Sequence, residues 1–538
     1  MAAIRVRDRW GVLILLLLLC LSLSALAQDG VVEKTNAKPK PVFVPKITID
    51  KETTWVTEPV GPSGFIDYLA AVNQRHSQGV TPENNSVVLL YRAMGPKPDG
   101  TRQPDRFFQL LGIEPPPNDG TYYEGLGNWW RRKEKPLPEG AVDLNAISDM
   151  ESTAQSRPWK AKEFPEIAEW LRDMDVPLQF AAEAASRTEY FSPLVPPQGK
   201  EEGKLIEVLL PGVQLARGFG RAFITRAMLR LGEGDDFAAW RDLFAAHRLG
   251  RLVGRGPTMI EGLVGIALES MAIEAELRMI LETQPSARFV ARYRKQLDNL
   301  PARSLMADKI DVAERAMFLD CCIHVARGNM HIEEIAGGDA DNSFLKKMVE
   351  GAVVQSVEWD EVLKTSNRWY DRMVTAVKLP TYREREVSLA KLDEEMQALA
   401  KKRQGPAALL QLLGGKSAIT QAVAETLINL LLPAVRQAHR AEDRIIQRMQ
   451  NLEVALALSA WRSEHDSYPK SLADLVPKYL AVAPTDHFNG EPLHYSTTPD
   501  GYLFYSIGQN GMDDEGRSFD DNPRGDDLSV QTPKPRAK

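Results

Sequence analysis

The chain has 538 residues, room for three or four units of about 150 residues each. Its 43% apolar and 26% charged residues are ordinary globular composition, enough to bury a core without a metal or disulfide scaffold. A net charge of −7 and 7% aromatics exclude a chain that is basic overall or rich in base-stacking surface, the usual footprints of nucleic-acid binders.

The first 27 residues read as a secretory signal peptide. Arg5, Arg7 and Arg9 precede an apolar run over 12–23, which ends in Ser24-Ala25-Leu26-Ala27. The run is short for a membrane span, so cleavage after Ala27 is expected. The protein would then be exported to the periplasm or the medium. If 11–27 are retained, they anchor it to the inner membrane with the bulk outside. Residues 28–60, rich in Lys, Pro, Thr and Val, read as an extended arm or linker.

Helical periodicity dominates 61–435. The pattern predicts helices over 65–76 and from Thr81-Pro82-Glu83 to Met94, with further ones over 163–173, 205–231, 235–253, 258–283, 286–299, 302–327, 343–377, 383–403 and 417–466. A Pro/Gly-rich insertion with aromatics (Tyr122, Tyr123, Trp129, Trp130) occupies 95–140. Residues 222–249, turning at Gly232-Glu233-Gly234, resemble a tetratricopeptide-like hairpin, but no 34-residue period continues from it. The expected architecture is mainly α: a large irregular helical domain, then a small α+β module over 436–530 and a tail over 531–538.

Little in the helical part points to chemistry. There is no G-x-S-x-G elbow, P-loop, H-E-x-x-H or C-x-x-C. His331 with Glu333 and Glu334 lacks a second histidine one turn away. Cys321 and Cys322 are adjacent on a helix, point about 100° apart and read as one buried and one half-exposed thiol rather than a disulfide. The apolar stretch 405–432 reads as core, since Lys416, Glu425 and Gly414-Gly415 interrupt it. Arg436, Arg440, Arg444 and Arg448 form a basic stripe, either a solvated face or a contact for an anionic partner. Opposite it lies an apolar face of Ile445, Met449, Leu452, Leu456 and Ala460.

The C-terminal segment is more specific. After Ala457-Leu458 and Trp461 come His465-Asp466-Ser467-Tyr468-Pro469, then Leu475-Val476-Pro477-Lys478-Tyr479-Leu480, then Ala483-Pro484-Thr485-Asp486. Gly490-Glu491-Pro492-Leu493-His494-Tyr495 and Tyr502-Leu503-Phe504-Tyr505-Ser506-Ile507-Gly508-Gln509-Asn510-Gly511 follow. In order and spacing, 452–530 resembles the globular part of the major pseudopilin of bacterial type II secretion systems. The alternation predicts two strands, 492–496 and 501–506, with a turn over 497–500.

The resemblance implies a calcium ion in the loop after the last strand. Asn510 stands where that family has an aspartate, Asp526 and Asp527 match its acidic pair, and Asp513, Asp514 and the Ile507 carbonyl are further candidate ligands. Independently of the family, seven acidic residues between 513 and 527 face only Arg517 and Arg524. They favour either a loop ordered by a cation or salt bridges, or a disordered acidic tail. The family's processing signature is missing. Leu15 follows Gly11 where the pseudopilin glutamate would be, so the head looks fused to a helical domain rather than built into a pseudopilus.

The expectation is an exported bacterial structural or interaction protein, linked to the secretion apparatus or cell envelope. It would carry a calcium-stabilised head and engage protein partners, but no nucleic acid and no membrane beyond an uncleaved N-terminus. The alternative is an exported hydrolase with its site in the helical domain near Trp129, Trp130, His247 or His324. A polar pocket bringing a histidine and a carboxylate together would favour that alternative.

Overall fold

A computed structural model describes residues 44–137, 145–196, 203–208, 210–330, 355–401, 415–429, 432–498 and 501–533. The expected signal segment, residues 28–43 of the arm, the 331–334 acidic histidine segment, residues 405–414 and 430–431 of the apolar 405–432 stretch, and the end of the tail lie outside them. The described chain is mainly helical with one small antiparallel sheet near its C-terminus.

The helices are α1 Tyr68–His76, α2 Ser86–Met94, α3 Asp105–Leu111, α4 Leu126–Arg132, α5 Asn145–Ser156, α6 Pro165–Asp173, α7 Asp175–Ser186, α8 Pro211–Gly232, α9 Asp236–Val253, α10 Met259–Thr283 and α11 Ala287–Asp298. After them come α12 Met306–Lys309, a π-helical turn Ile310–Glu314, α13 Arg315–Ala326, α14 Trp359–Val377, α15 Tyr382–Lys401, α16 Gly415–Asn429 and α17 Leu432–His465. The strands are β1 His494–Thr498, β2 Gly501–Ser506 and β3 Leu528–Thr532.

The centre is the pair of hairpins α8–α9 and α9–α10. The first turns at Gly234, whose φ of +86° is costly for other residues. The second packs unusually close: a Cβ on Gly265 would fall 2.5 Å from the Gly254 Cα, and one on Gly250 would fall 2.9 Å from the Glu269 amide nitrogen. Small residues let the two backbones touch and bring the charged groups of α9 and α10 together. Helix α10 starts with a capping box, Thr258 and Glu261, each side chain bonding the other's backbone N–H.

Several expectations change. The Pro/Gly-rich region is not all loop: α3 and α4 form within 95–137, and Trp129 and Trp130 are core residues. Helix α7 is not among the expected helices; its Pro177 lies in the first turn, where the missing N–H costs nothing. Helix α2 begins not at Thr81 but at Ser86, capped by the Asn85 side chain on the Val87 N–H. Helix α8 begins at Pro211, which fixes its start. Of the expected helix 417–466, residues 417–429 and 432–465 are helical, as parts of α16 and α17, and 430–431 lie outside the described residues. Cys321 and Cys322 are both buried and unbonded to each other, because α13 is covered on every side.

Residues 44–60 are a docked strap rather than a spacer. Thr48 donates its backbone and hydroxyl hydrogens to Asp360 of α14, at 2.8 and 2.7 Å. Asn367 donates to the carbonyls of Glu52 and Thr53, and the Tyr68 hydroxyl to that of Thr54.

Helix α17 joins body and head. Ile445, Leu452, Leu456 and Ala460 are buried, with Met449 partly so, and the helix packs on α10 and α11. The basic stripe finds its partners inside the chain: Arg436 pairs with Glu386 and Asp393 of α15, and Arg440 with Glu386. Among the described residues no helix is long and apolar enough to cross a membrane. The sheet has order β1-β2-β3, with Phe504 of β2 opposite Tyr495 and Val530. Strand β3 was not expected; its short alternation ends at Thr532, inside the segment read as a tail. The 507–527 loop is the connection from β2 to β3.

Candidate metal centre

The site begins where β2 ends. The buried Asp486 carboxylate fixes that end. Its Oδ1 accepts from the Ser506 hydroxyl (2.9 Å) and the Phe488 N–H (2.8 Å), and its Oδ2 accepts from the Ile507 N–H (2.8 Å). Gly508 follows with φ +69°, and a Cβ there would lie 2.7 Å from Asp526 Oδ1. Both the backbone angle and the close approach require glycine. The next two amides, Gln509 and Asn510, donate to Asp526 Oδ2 at 3.0 and 2.9 Å.

Across the loop, Asp514 Oδ2 accepts from the Asp526 N–H and the Asn510 side-chain amide, both at 3.0 Å. Asp527 Oδ2 accepts from the Gly516 N–H at 2.7 Å. Asp514, Asp526 and Asp527 thereby converge, with one carboxylate oxygen of each within 4.8 Å of the others. Asp527 is 2% exposed. Asp526 Oδ1 and Asp527 Oδ1 are both buried and have no hydrogen-bond partner.

Such oxygens are costly to leave bare. Burial, with Asp514 and Asp513 nearby, pushes the Asp527 carboxyl up to about 6 against two backbone N–H bonds that lower it. Burial also raises Asp526, with Asp514 adding to it. Asp514 is held below its ordinary value by hydrogen bonds from the Asn510 side chain and the Asp526 N–H. Three converging carboxylates, two with orphaned oxygens, are a hard-oxygen donor set of the kind calcium takes, to be completed by carbonyls and water.

The other expected ligands are arranged differently. Asp513 is exposed and turned to the strands: it accepts from the Tyr505 hydroxyl at 3.1 Å and lies 3.7 Å from His494 Nδ1. The Asn510 side-chain oxygen is taken by the Met512 N–H, so its amide NH2 faces Asp514. Ile507 is buried at the start of the loop with its N–H on Asp486. Asp486 and Gln509 were not foreseen as part of the site. Their side chains act on backbone and on distant helices, which only the folded chain reveals.

The histidines named for a hydrolase are buried and paired with carboxylates. His247 is 0% exposed. Its Nδ1 lies 3.3 Å from both Glu276 oxygens, and its Nε2 lies 3.7 Å from Glu269. Burial alone would lower its pKa; Glu276 and Glu269 override that and raise it to about 9. The two carboxylates thus favour the protonated ring. His324 lies 3.5 Å from Asp320, which burial pushes up to about 7. The two best-defined surface grooves, about 630 and 340 Å³, contain no histidine. One runs beside Arg92, Tyr122, Val176 and Phe180, the other beside Asp371 and Ser388. Trp129 Nε1 donates to the half-buried Asp173 at the edge of the core.

Comparison of the chain with family models, with curated proteins and with solved structures gives no match.

Proposed function

We propose that this chain is an exported bacterial interaction protein in which a calcium-stabilised, pseudopilin-like head caps a large helical body, and that it works at the cell envelope or alongside the secretion apparatus. The observation that carries the calcium reading is the pair of buried, unpartnered oxygens on Asp526 and Asp527 beside Asp514. Supporting the pseudopilin-like reading is the order of parts: a long helix, a small antiparallel sheet and an acidic β2–β3 loop, in register with the sequence resemblance. The helical body offers surface for a protein partner.

The test is calorimetric titration and melting of the full chain in calcium chloride and in EDTA. Calcium is expected to bind and to raise the melting temperature. At a hundredfold excess over Kd the gain is about 2.7 kcal/mol. Magnesium should do less, since it demands a tighter octahedral shell and gives up water reluctantly. Asp526→Asn combined with Asp527→Asn should abolish binding while leaving the metal-free chain folded. Identical melting in calcium and EDTA, with no heat of binding, would end the calcium reading. N-terminal sequencing of the mature protein tests export through cleavage after Ala27.

A further inference from the structure

Gln509 belongs at once to the metal loop and to the helical body. Its backbone N–H donates to Asp526 Oδ2 at 3.0 Å, so its position is part of the cradle. Its side-chain Nε2 donates to the Arg440 carbonyl at 2.6 Å, and its Oε1 accepts from Arg444 Nη2 at 2.8 Å. Its own carbonyl accepts from the Tyr382 hydroxyl at 3.2 Å. One residue thus holds α17 at two successive turns and α15 at its first residue. Arg440 is in turn fixed to α15 through Glu386, at 3.1 and 2.7 Å.

Asp526 also attracts Arg444 of α17 by charge, while two further hydrogen bonds tie the head to α17 away from the carboxylate cradle. Asn451 donates to the Leu528 carbonyl, and His487 meets Asp443. Asp526 Oδ2 is held by the amides of 509 and 510 while Oδ1 is left bare. An ion drawn to Oδ1 pulls on the same carboxylate that fixes residue 509. The side chain of that residue ends on α17.

We propose that Gln509 is the positioning residue that links calcium occupancy of the β2–β3 loop to the packing of α15 and α17, so that the ion regulates the order of the helical body as well as of the head. This rests on the calcium reading above. Helices α15 and α17 would then be tightest where calcium is plentiful and looser where it is scarce.

The experiment is hydrogen exchange on the full chain, with calcium chloride or EDTA, beside calorimetry with calcium alone. In the wild type, calcium should slow exchange in the 507–527 loop and also in 382–386 and 438–446. In Gln509→Ala, compared at calcium saturation measured for that variant, the effect of calcium on the two helical segments should fall relative to its effect on the loop. Loss of these bonds corresponds to about five- to thirtyfold in local opening. Tyr382→Phe, which removes only the hydroxyl on the Gln509 carbonyl, should lower the protection of 382–386 alone, and it serves should Gln509→Ala fail to fold. Calcium binding with protection confined to the loop, or helical protection unchanged in a folded Gln509→Ala, overturns the linkage and leaves the calcium reading intact. An absence of any binding heat in the wild type overturns both.

Discussion

Glu269→Ala is expected to destabilise the folded chain by about 3–5 kcal/mol, the cost of leaving buried cations without their counter-ion. Glu269 lies on α10 where glycines bring α9 against it, and three cations converge on its carboxylate. Arg303 donates through Nη2 at 2.7 Å and Nε at 3.3 Å, Arg251 through Nε, and His247 Nε2 lies 3.7 Å away. Burial raises a carboxyl, but here His247, Arg303 and Arg251 outweigh it and hold Glu269 down at about 2. Glu269→Gln keeps the volume and one acceptor, so it should cost less than alanine yet still leave excess positive charge. Chemical denaturation followed by helix dichroism measures both. A change below about 1 kcal/mol for alanine, the size of an ordinary surface substitution effect, would show that the network is open to water.

The same network sets a pH dependence. His247 titrates at about 9 in the folded chain against its ordinary 6.5. A group raised in the folded state contributes stability that is complete below its unfolded value and lost as pH rises through its folded value. Stability should therefore decline between about pH 6.5 and 9.5, by about 3 kcal/mol at one pKa unit per 1.36 kcal/mol. His247→Gln should flatten that decline. An unchanged slope in the variant would assign it to other groups.

What could be read beforehand divides along physical lines. Helices α9 and α10 were expected within a residue of where they lie, because their apolar period is regular and their ends carry cap residues: Asp235 accepts from the Ala238 N–H, and Thr258 forms its box with Glu261. Where prolines sit, the reading erred in both directions. Helix α7 was absent from the expected set although its Pro177 sits in the first turn, where a helix tolerates it, and α8 starts at Pro211 rather than at 205. Strand β3 was missed because five residues with one buried position give almost no alternation. At the candidate site, Asp526 and Asp527 were legible from the resemblance, and Asp514 from the acidic crowding. Asp486 stood in the quoted Pro-Thr-Asp string with no role, because its partners are backbone amides 2 to 21 residues away. The partners of His247 were out of reach too. Glu269 and Glu276 are seven apart on α10 and therefore share its face, but only the glycine crossing brings that face to α9.

The junction between head and body rests most heavily on Asp443, and its loss should separate the two. Asp443 is 1% exposed in the middle of α17. Its Oδ1 accepts from Arg385 of α15 and from His487 Nε2 at 2.7 Å, while His439 lies 3.5 Å from Oδ2. Arg385 has two further acceptors, the carbonyls of Leu379 and Pro380, and these carry no full charge to match it. Asp443→Ala strands that buried guanidinium and releases His487, whose backbone N–H on Gln447 Oε1 is then the loop's nearest hold on α17. The expected cost is about 3–5 kcal/mol. It should fall unevenly, because the groups bonded to Asp443 lie on α15, on α17 and in the 485–490 segment, and that segment and, through Asp486, the end of β2 depend on it. In the variant the head should exchange its amides faster than the hairpin core and melt in an earlier transition. Asp443→Asn, which keeps the acceptor and loses the charge, should soften the junction without splitting the transition. Because Asp486 also fixes Ile507 at the start of the metal loop, Asp443→Ala should weaken calcium binding as well, although Asp443 has no place among the converging carboxylates. A single unshifted transition in Asp443→Ala, with calcium affinity unchanged, would mean that the apolar face of α17 alone holds head and body together.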